Sequence, residues 1–203
     1  MNAPPKPSPL QLLDAFIKKW LNRLKVFCML AATWAVFFSV FTLLGLRAGY
    51  EYDDGLRYTT PAYQAAQKAK AAPFSEDFWS LVNRDHKLER TKPAVWLSAW
   101  FFRAFGFKID IFCQRGPGGS EGLVRDWRPL ADAFHFTPDE DHKYQLLEKG
   151  RYAVYFAASD GGIIQARKAG VWAVRIRKSA KSALRHEYNP RKFKEPVLPL
   201  SEF

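Results

Sequence analysis

Cysteine is scarce in this chain of 203 residues, and its histidines form no metal-ligand pattern. The two cysteines, Cys28 and Cys113, fall in different predicted segments, so the sequence predicts no disulfide between them. The four histidines lack the spacing typical of metal ligands. No internal repeat and no low-complexity tract is present. These absences argue against a disulfide-stapled scaffold, a histidine-held metal and a repeat protein.

The chain carries a basic balance, with 31 Lys and Arg against 20 Asp and Glu and a formal charge of +11. Such a balance suits nucleic acid, anionic lipid or a phosphorylated ligand, and equally a solvated basic surface. The basic residues are scattered and form no nucleic-acid-binding motif, so we predict no nucleic-acid partner. The length and a hydrophobic content of 48% are enough for one ordinary core plus an extra segment.

One long apolar run, residues 26–46, contains no charge over 21 residues. That length matches a helix crossing the hydrocarbon core. Eleven of these residues are Val, Phe or Leu, which together contribute about −3 to −7 kcal/mol to insertion. A cleaved signal peptide, with a weak cleavage-like site near Ala48, and a buried soluble helix are the alternatives. We favour a retained single-span anchor, because residues 1–25 are long for a leader.

Charges on either side of the run predict its orientation. Basic residues precede it, and one arginine and three acids follow it: Lys18, Lys19, Arg23 and Lys25, then Arg47, Glu51, Asp53 and Asp54. Positive charge stays on the cytoplasmic side. We therefore predict a bacterial inner-membrane protein with a cytoplasmic N-terminus and a periplasmic globular domain.

The predicted N-terminal segment, residues 1–25, also has helical spacing of its apolar residues. Ser8 is a candidate N-cap, with Pro9 at the first helical position. The segment is either an interfacial amphipathic helix or an extension of the spanning helix. The pattern leaves both alternatives open.

Strand and helix patterns alternate through the predicted domain, residues 47–203. Predicted strands cover residues 48–53, 107–113, 152–158 and 171–177, and predicted helices cover 73–83, 94–105, 123–134, 137–149 and 162–170. This alternation predicts an α/β fold, with a parallel sheet covered by helices on both faces. Sites in such sheets form beyond the carboxyl ends of the strands. Those ends are predicted at Asp53–Asp54, Gln114–Arg115 and Ala158–Asp160.

Five motifs follow one another after the apolar run: YEYDDGLRYTTP (50–61), DFWSLVNRDHKLERTKPAVWL (77–97), FCQRG (112–116), KYQLL (143–147) and AASDGGIIQARKAGVWAVRI (157–176). In this order they resemble the haloacid dehalogenase (HAD) superfamily, and most closely its periplasmic class B acid phosphatases. The resemblance covers nearly everything after the apolar run and implies a HAD-like Rossmannoid sheet. It also implies phosphate-ester chemistry, with an aspartate nucleophile, an acid–base aspartate and Mg²⁺ held by further aspartates.

Residue by residue, the resemblance puts Glu51 at the nucleophile position and Asp53 at the acid–base position. It assigns phosphate binding to Gln114, Arg115 and Lys143. Besides Glu51, other family residues are replaced: Gly55 and Gln114 each stand for a threonine, and Ala158 and Gly162 stand for metal-site aspartates. A glutamate in place of aspartate displaces the attacking oxygen by about 1 Å, which can cost on the order of 10²-fold in rate.

These replacements predict that the chain is not an enzyme and that it binds no metal or cofactor. In this interpretation it is an accessory or structural subunit that binds integral membrane proteins. Two alternatives stay open. One is an active Mg²⁺-dependent phosphomonoesterase with an atypical nucleophile, and the other is a metal-free binder of phosphorylated small ligands.

Several of these features also have plain structural interpretations. Lys143 could be a solvated helix lysine, and Asp53 and Asp54 could cap the turn that follows them. The glycine-rich turn 116–122 is either an anion cradle or, as we favour, a flexible loop. The apolar helix 94–105 is buried all round or meets a partner or the membrane.

Overall fold

The computed structural model describes residues 8–184 and 186–203. Its strands are β1 (Arg47–Glu51), β2 (Arg57–Tyr58), β3 (Arg90–Thr91), β4 (Lys108–Cys113), β5 (Ala133–Phe136), β6 (Tyr152–Ala157) and β7 (Trp172–Arg175). Its helices are α1 (Pro9–Leu44), α2 (Thr60–Lys68), α3 (Glu76–Arg84), α4 (Pro93–Ala104), α5 (Glu121–Trp127), α6 (Glu140–Lys149) and α7 (Asp160–Lys168). A short 3-10 helix, His86–Leu88, follows α3.

Five of the strands form one parallel sheet in the order β5-β4-β1-β6-β7. The other two, β2 and β3, pair antiparallel beside it. Strand β1 lies at the centre, with Arg47 opposite Lys108 at its start and Glu51 opposite Phe112 at its end. The predicted α/β architecture with a parallel sheet is confirmed.

Both faces of the sheet are buried, because side chains alternate along each strand. On β6, Val154 and Phe156 belong to one apolar cluster, whereas Tyr155 and Ala157 belong to the other. Tyr50 of β1 stacks on Phe156, with ring centroids 4.5 Å apart. Apolar side chains on both faces explain why helices cover the sheet from both sides.

Helix α1 is one continuous helix of 36 residues. It begins with a capping box between Ser8 and Gln11 and ends at Gly45, which adopts the left-handed conformation. The N-terminal segment, as far as it is described, is therefore an extension of the apolar helix, and residues 1–7 lie outside the described residues. The helix is long and apolar enough to cross a membrane, as a signal sequence near an N-terminus can also be. None of its most apolar window is buried, so the buried-soluble-helix alternative is wrong.

The C-terminal half of α1 contacts the domain at the end of α4. The Trp34 indole donates to the Ala104 carbonyl at 3.0 Å, and the Phe41 and Phe107 rings lie 4.9 Å apart. Gly106 makes this approach possible, because a Cβ there would lie 2.5 Å from the Phe38 carbonyl oxygen. The junction between α1 and the domain is thus packed.

The structure differs from the predicted elements at four places, one of which is the short β2–β3 pair that was not predicted. The predicted helix 123–134 is wrong: α5 ends at Trp127 before Pro129, and Phe134 lies in the edge strand β5. Helix α2 was not predicted. The N-cap of α6 is Asp139, not Thr137, whose amide instead donates to the Cys113 carbonyl at 2.8 Å.

Candidate functional site

The predicted site residues come together at the carboxyl end of the sheet. Glu51 ends β1, Gln114 and Arg115 follow β4, and Ala158 follows β6. Since β1 lies between β4 and β6, the three strand ends meet at one edge. This convergence is the arrangement that the alternating pattern predicts.

Glu51 holds its carboxylate in a set of four donors. Oε2 accepts from the amides of Ala158 and Ser159 at 2.7 and 2.9 Å. Oε1 accepts from the Ser159 hydroxyl at 2.6 Å and from the Lys143 ammonium at 3.3 Å. The two amides lie at the N-terminus of α7, where helix geometry favours an anion. The residues around Glu51 therefore form a preformed anion-binding site, which the protein's own carboxylate occupies.

Charge at this site favours the ionised carboxylate. Burial alone would raise the pKa of Glu51, but the Lys143 ammonium and the Ser159 hydrogen bonds outweigh it, so that pKa lies below its ordinary value. Lys143 is itself fully buried and lies 3.0 Å from Glu140 as well. The alternative that Lys143 is a solvated helix lysine is wrong.

Asp53 points away from Glu51, toward the start of the loop after β4. Its Oδ1 accepts from Arg115 Nε at 2.7 Å, and its Oδ2 accepts from the Gln114 amide at 2.9 Å. The alternative that Asp53 caps its own turn is therefore not what the contacts show. The Gln114 side-chain amide donates to Glu140 at 2.9 Å, beside Lys143.

Arg115 is a fully buried cation between two carboxylates. Besides Asp53, it contacts Glu89 at 2.6 Å, and its guanidinium lies over the rings of Tyr52 and Tyr63. The Tyr52 hydroxyl donates to the other Glu89 oxygen. Arg115 thus neutralises two buried acids, and a role in binding phosphate stays a prediction.

Four residues near the site were missed by sequence reasoning. Ser159 is both the N-cap of α7 and a donor to Glu51, and its position before a helix was a usable signal. Glu140 bridges Gln114 and Lys143. Lys92 and His186 come from loops whose sequence gives no sign of the site.

Asp54, Lys92 and His186 form a second group of charges beside the first. Burial raises the pKa of Asp54, although the Ser182 hydroxyl and the Lys92 ammonium oppose that shift. Lys92 donates to the carbonyls of Asp54 and Arg177 at 2.6 and 2.7 Å. Burial lowers the pKa of His186, and the Glu51 carboxylate opposes this shift. Asp54 Oδ1 is buried without a hydrogen-bond partner.

The acids at this edge do not fit the magnesium that the resemblance implies. Mg²⁺ requires oxygen ligands in a near-ideal octahedron. Both Glu51 oxygens are taken by protein donors, both Asp53 oxygens are taken as well, and Ala158 supplies no carboxylate. Asp54 Oδ1 is a single free oxygen. Among the described residues, no group of three His, Cys, Asp or Glu is placed to hold a metal ion.

Comparisons with known proteins agree with the fold. The sequence matches no protein-family model and no curated protein. The structure is similar to a predicted phosphoglycolate phosphatase from Haemophilus somnus 129PT, with 12% identity and a TM-score of 0.50 over 74% of this chain and 92% of that one. It is also similar to CbbY from Rhodobacter sphaeroides in complex with phosphate, with 12% identity and a TM-score of 0.52 over 76% and 93% of the two chains.

This comparison corrects one prediction and leaves another open. The prediction that the chain is not an enzyme is wrong. The proteins with a similar structure include a phosphatase, and no observation shows that this chain is inactive. The replaced residues at positions 51, 158 and 162 were therefore too narrow a basis for that prediction. The resemblance to class B acid phosphatases in particular is not confirmed.

Proposed function

Because the chain has the fold of the HAD superfamily, we propose that its domain has a phosphatase-type function towards phosphate monoesters. The observation that carries the proposal is the anion site around Glu51. Lys143 and the amides of Ala158 and Ser159 are donors that would hold phosphoryl oxygens as well as they hold a carboxylate.

We assign the roles by position on the strand. As a phosphoryl group enters, Lys143 transfers its ion pair from Glu51 to the substrate, which frees a Glu51 oxygen to attack phosphorus. The bond from phosphorus to the ester oxygen breaks, and Asp53, which must first leave Arg115 and take up a proton from solvent, delivers the proton that the leaving alcohol needs. Water then attacks the phosphoryl-glutamate, and Asp53 takes its proton as phosphate leaves.

The donor set supports a reaction whose charge is neutralised by Lys143 and not by Mg²⁺. We expect turnover to be slow, because Glu51 Oε1 must leave both Lys143 and the Ser159 hydroxyl before it can attack. An imperfectly placed nucleophile costs on the order of 10²-fold in rate.

The test is release of p-nitrophenol from p-nitrophenyl phosphate by the full chain in mild detergent, with either Mg²⁺ or EDTA. We expect equal, slow release in both, abolished by Asp53→Asn and retained by Glu148→Gln on the outer side of α6. Circular dichroism checks that both variants fold. Release that requires Mg²⁺ would overturn metal independence alone. No release, together with no thermal shift by phosphate, would overturn the phosphatase-type function.

A second proposal concerns the place of the chain in the cell. We propose that α1 is a retained anchor in a bacterial inner membrane, with the domain in the periplasm. The packed junction at Gly106 supports retention, because cleavage near Ala48 would remove a helix that the domain contacts. Labelling with an impermeant maleimide tests the orientation: a cysteine at Lys68 should react in intact spheroplasts, and a cysteine at Ser8 only after lysis.

We further propose an integral membrane partner for the same region. Helix α4 leaves an apolar face exposed beside α1, with Leu97 58% and Phe101 60% exposed. Faces of this kind mark interaction sites. We expect the chain to copurify with membrane proteins in mild detergent, through contacts that Leu97→Ser weakens. Isolation only as a lone monomer would count against this role.

A further inference from the structure

A basic cleft lies where α1 meets the domain, at the opposite edge of the sheet from the candidate site. Its volume is about 510 Å³, and its lining includes Gly45, Arg47, His135, Lys149, Arg151 and Tyr152. Gly45 is the C-cap of α1, and Arg47 is the first residue of β1. The cleft therefore opens at the point where the apolar helix ends.

The cleft carries two cations that no acid of the described residues neutralises. Arg47 is paired with the buried Asp110 at 2.6 Å, and Asp110 also accepts from the Tyr152 hydroxyl and lies 3.5 Å from His135 Nε2. Neither Lys149 nor Arg151 forms an ion pair within the described part of the chain. Both are exposed, so their charge is available to an anion.

Arg151 also ties the cleft to the end of the spanning helix. Its guanidinium donates to the Leu44 carbonyl at 3.1 Å, and its own carbonyl accepts from the Arg47 amide at 2.9 Å. The carbonyls at a helix C-terminus attract a cation. The contact fixes Arg151 at the level where α1 leaves its apolar stretch.

The rest of this sheet edge has the composition of a membrane interface. The strands are parallel, so all of them begin at this edge, with Lys108 and Arg47 in register. Lys108 is exposed, and Trp172 at the start of β7 is 62% exposed. Basic residues and tryptophan are the side chains that collect at the headgroup level of a bilayer.

We propose that the cleft binds the phosphate of an anionic phospholipid headgroup, held by Lys149 and Arg151 on the side where α1 emerges. The inference rests on the proposed anchoring by α1 and not on the proposed phosphatase chemistry. It also orients the domain. Arg47 and Glu51 are the first and last of the five residues of β1, about 13 Å apart along the strand, so the candidate site faces away from the bilayer.

The test is native mass spectrometry of the full chain, solubilised in mild detergent with equal amounts of phosphatidylglycerol and phosphatidylcholine. The wild type should retain phosphatidylglycerol preferentially. Each basic residue near an anionic surface changes binding about fivefold, so Lys149→Gln/Arg151→Gln should reduce this preference about 25-fold. The charge-matched control Lys68→Gln/Lys181→Gln replaces two exposed lysines elsewhere and should leave it unchanged.

Each other outcome decides against the proposal in its own way. Equal lipid retention by the wild type and the cleft variant would overturn it. Displacement of the lipid by inorganic phosphate at equal concentration would assign the cleft to free anions. Release of the wild type from vesicles by alkaline carbonate would overturn the anchor and, with it, the headgroup site.

Discussion

The Glu51 carboxylate lies directly against Gly162 at the end of the sheet. A Cβ built on Gly162 would lie 2.4 Å from Glu51 Oε1 and 2.8 Å from Ala157 Cβ. The longer acid at position 51 reaches into the space that a side chain at position 162 would occupy. The resemblance puts an aspartate at each of these positions, so the two replacements are physically coupled: a glutamate here requires a glycine there.

The coupling predicts that Gly162→Ala destabilises the domain. The alanine methyl must displace the Glu51 carboxylate from its donors, which should cost about 1–3 kcal/mol in the free energy of unfolding. Urea denaturation of the full chain in mild detergent measures it. Gly161→Ala is the matched control and should cost less, since its Cβ would meet only the end of the Glu140 side chain at 2.9 Å. This side chain is 40% exposed and can shift, weakening only its contacts with Gln114 and Lys143.

A double-mutant cycle separates the coupling from a general effect at position 162. Glu51→Asp shortens the acid and should recover part of the loss in the Gly162→Ala background. Contacting residues show interaction energies of about 0.5–3 kcal/mol. Additive losses in the double variant would show that the two positions do not share space.

Arg115 carries the second prediction. Arg115→Met leaves the carboxylates of Asp53 and Glu89 buried without their cation, which should cost about 3–5 kcal/mol. The control Arg177→Gln removes an exposed pair with Glu202 and should cost less than about 1 kcal/mol. Equal losses in urea denaturation would contradict a structural role for the Arg115 ion pairs.

Sequence reasoning located the site through its strand ends. Apolar runs bounded by turns predict β1, β4 and β6, and parallel strands must end at a common edge. Asp53, Gln114 and Arg115 follow directly from that rule, whereas Glu51 was assigned through the family resemblance. The alternation of buried side chains, such as Tyr155 against Phe156, follows from the period of a strand.

The partners of these residues could not be predicted in the same way. Arg115 contacts Glu89 from a loop 26 residues earlier, and the charge of Glu51 acts on His186 from the C-terminal segment. Such pairs depend on tertiary packing, which no local period encodes. Strand β5 was missed for a related reason: it is a half-buried edge strand, so it lacks the fully apolar run of the central strands.

Lys92 predicts a pH dependence of stability above neutrality. Burial lowers the pKa of Lys92 from 10.5 to about 8, and Asp54 opposes that shift. Between these two values the unfolded chain binds the proton and the folded chain does not. Stability should therefore rise with pH from about 8 to 10.5, by up to about 1.4 kcal/mol per pH unit from this group.

The difference between wild type and Lys92→Met isolates that contribution from other titrating groups. Urea denaturation at pH 7, 8, 9 and 10 measures the free energy of unfolding of both proteins. The value for the wild type minus that for the variant should increase steadily with pH. The exposed Lys68→Met serves as the control and should show a constant difference. A constant difference for Lys92→Met as well would mean that the buried ammonium keeps its ordinary pKa.

The junction between α1 and the domain gives the last prediction. Gly106 has a φ of +88°, and its Cβ would lie 2.5 Å from both the Phe38 carbonyl oxygen and Thr42 Oγ1. Gly106→Ala therefore adds a clash of about 1–3 kcal/mol to backbone strain of about 1–2 kcal/mol. Gly170 has a φ of +72° with nothing within 4 Å of its Cβ, so Gly170→Ala carries the strain alone. We expect the larger loss of thermal stability in Gly106→Ala, with new protease sensitivity near Gly45 as α1 separates. Equal losses of thermal stability in the two variants, with no new cleavage, would mean that α1 does not pack on the domain. The proposal of a retained, packed anchor would then lose its structural support.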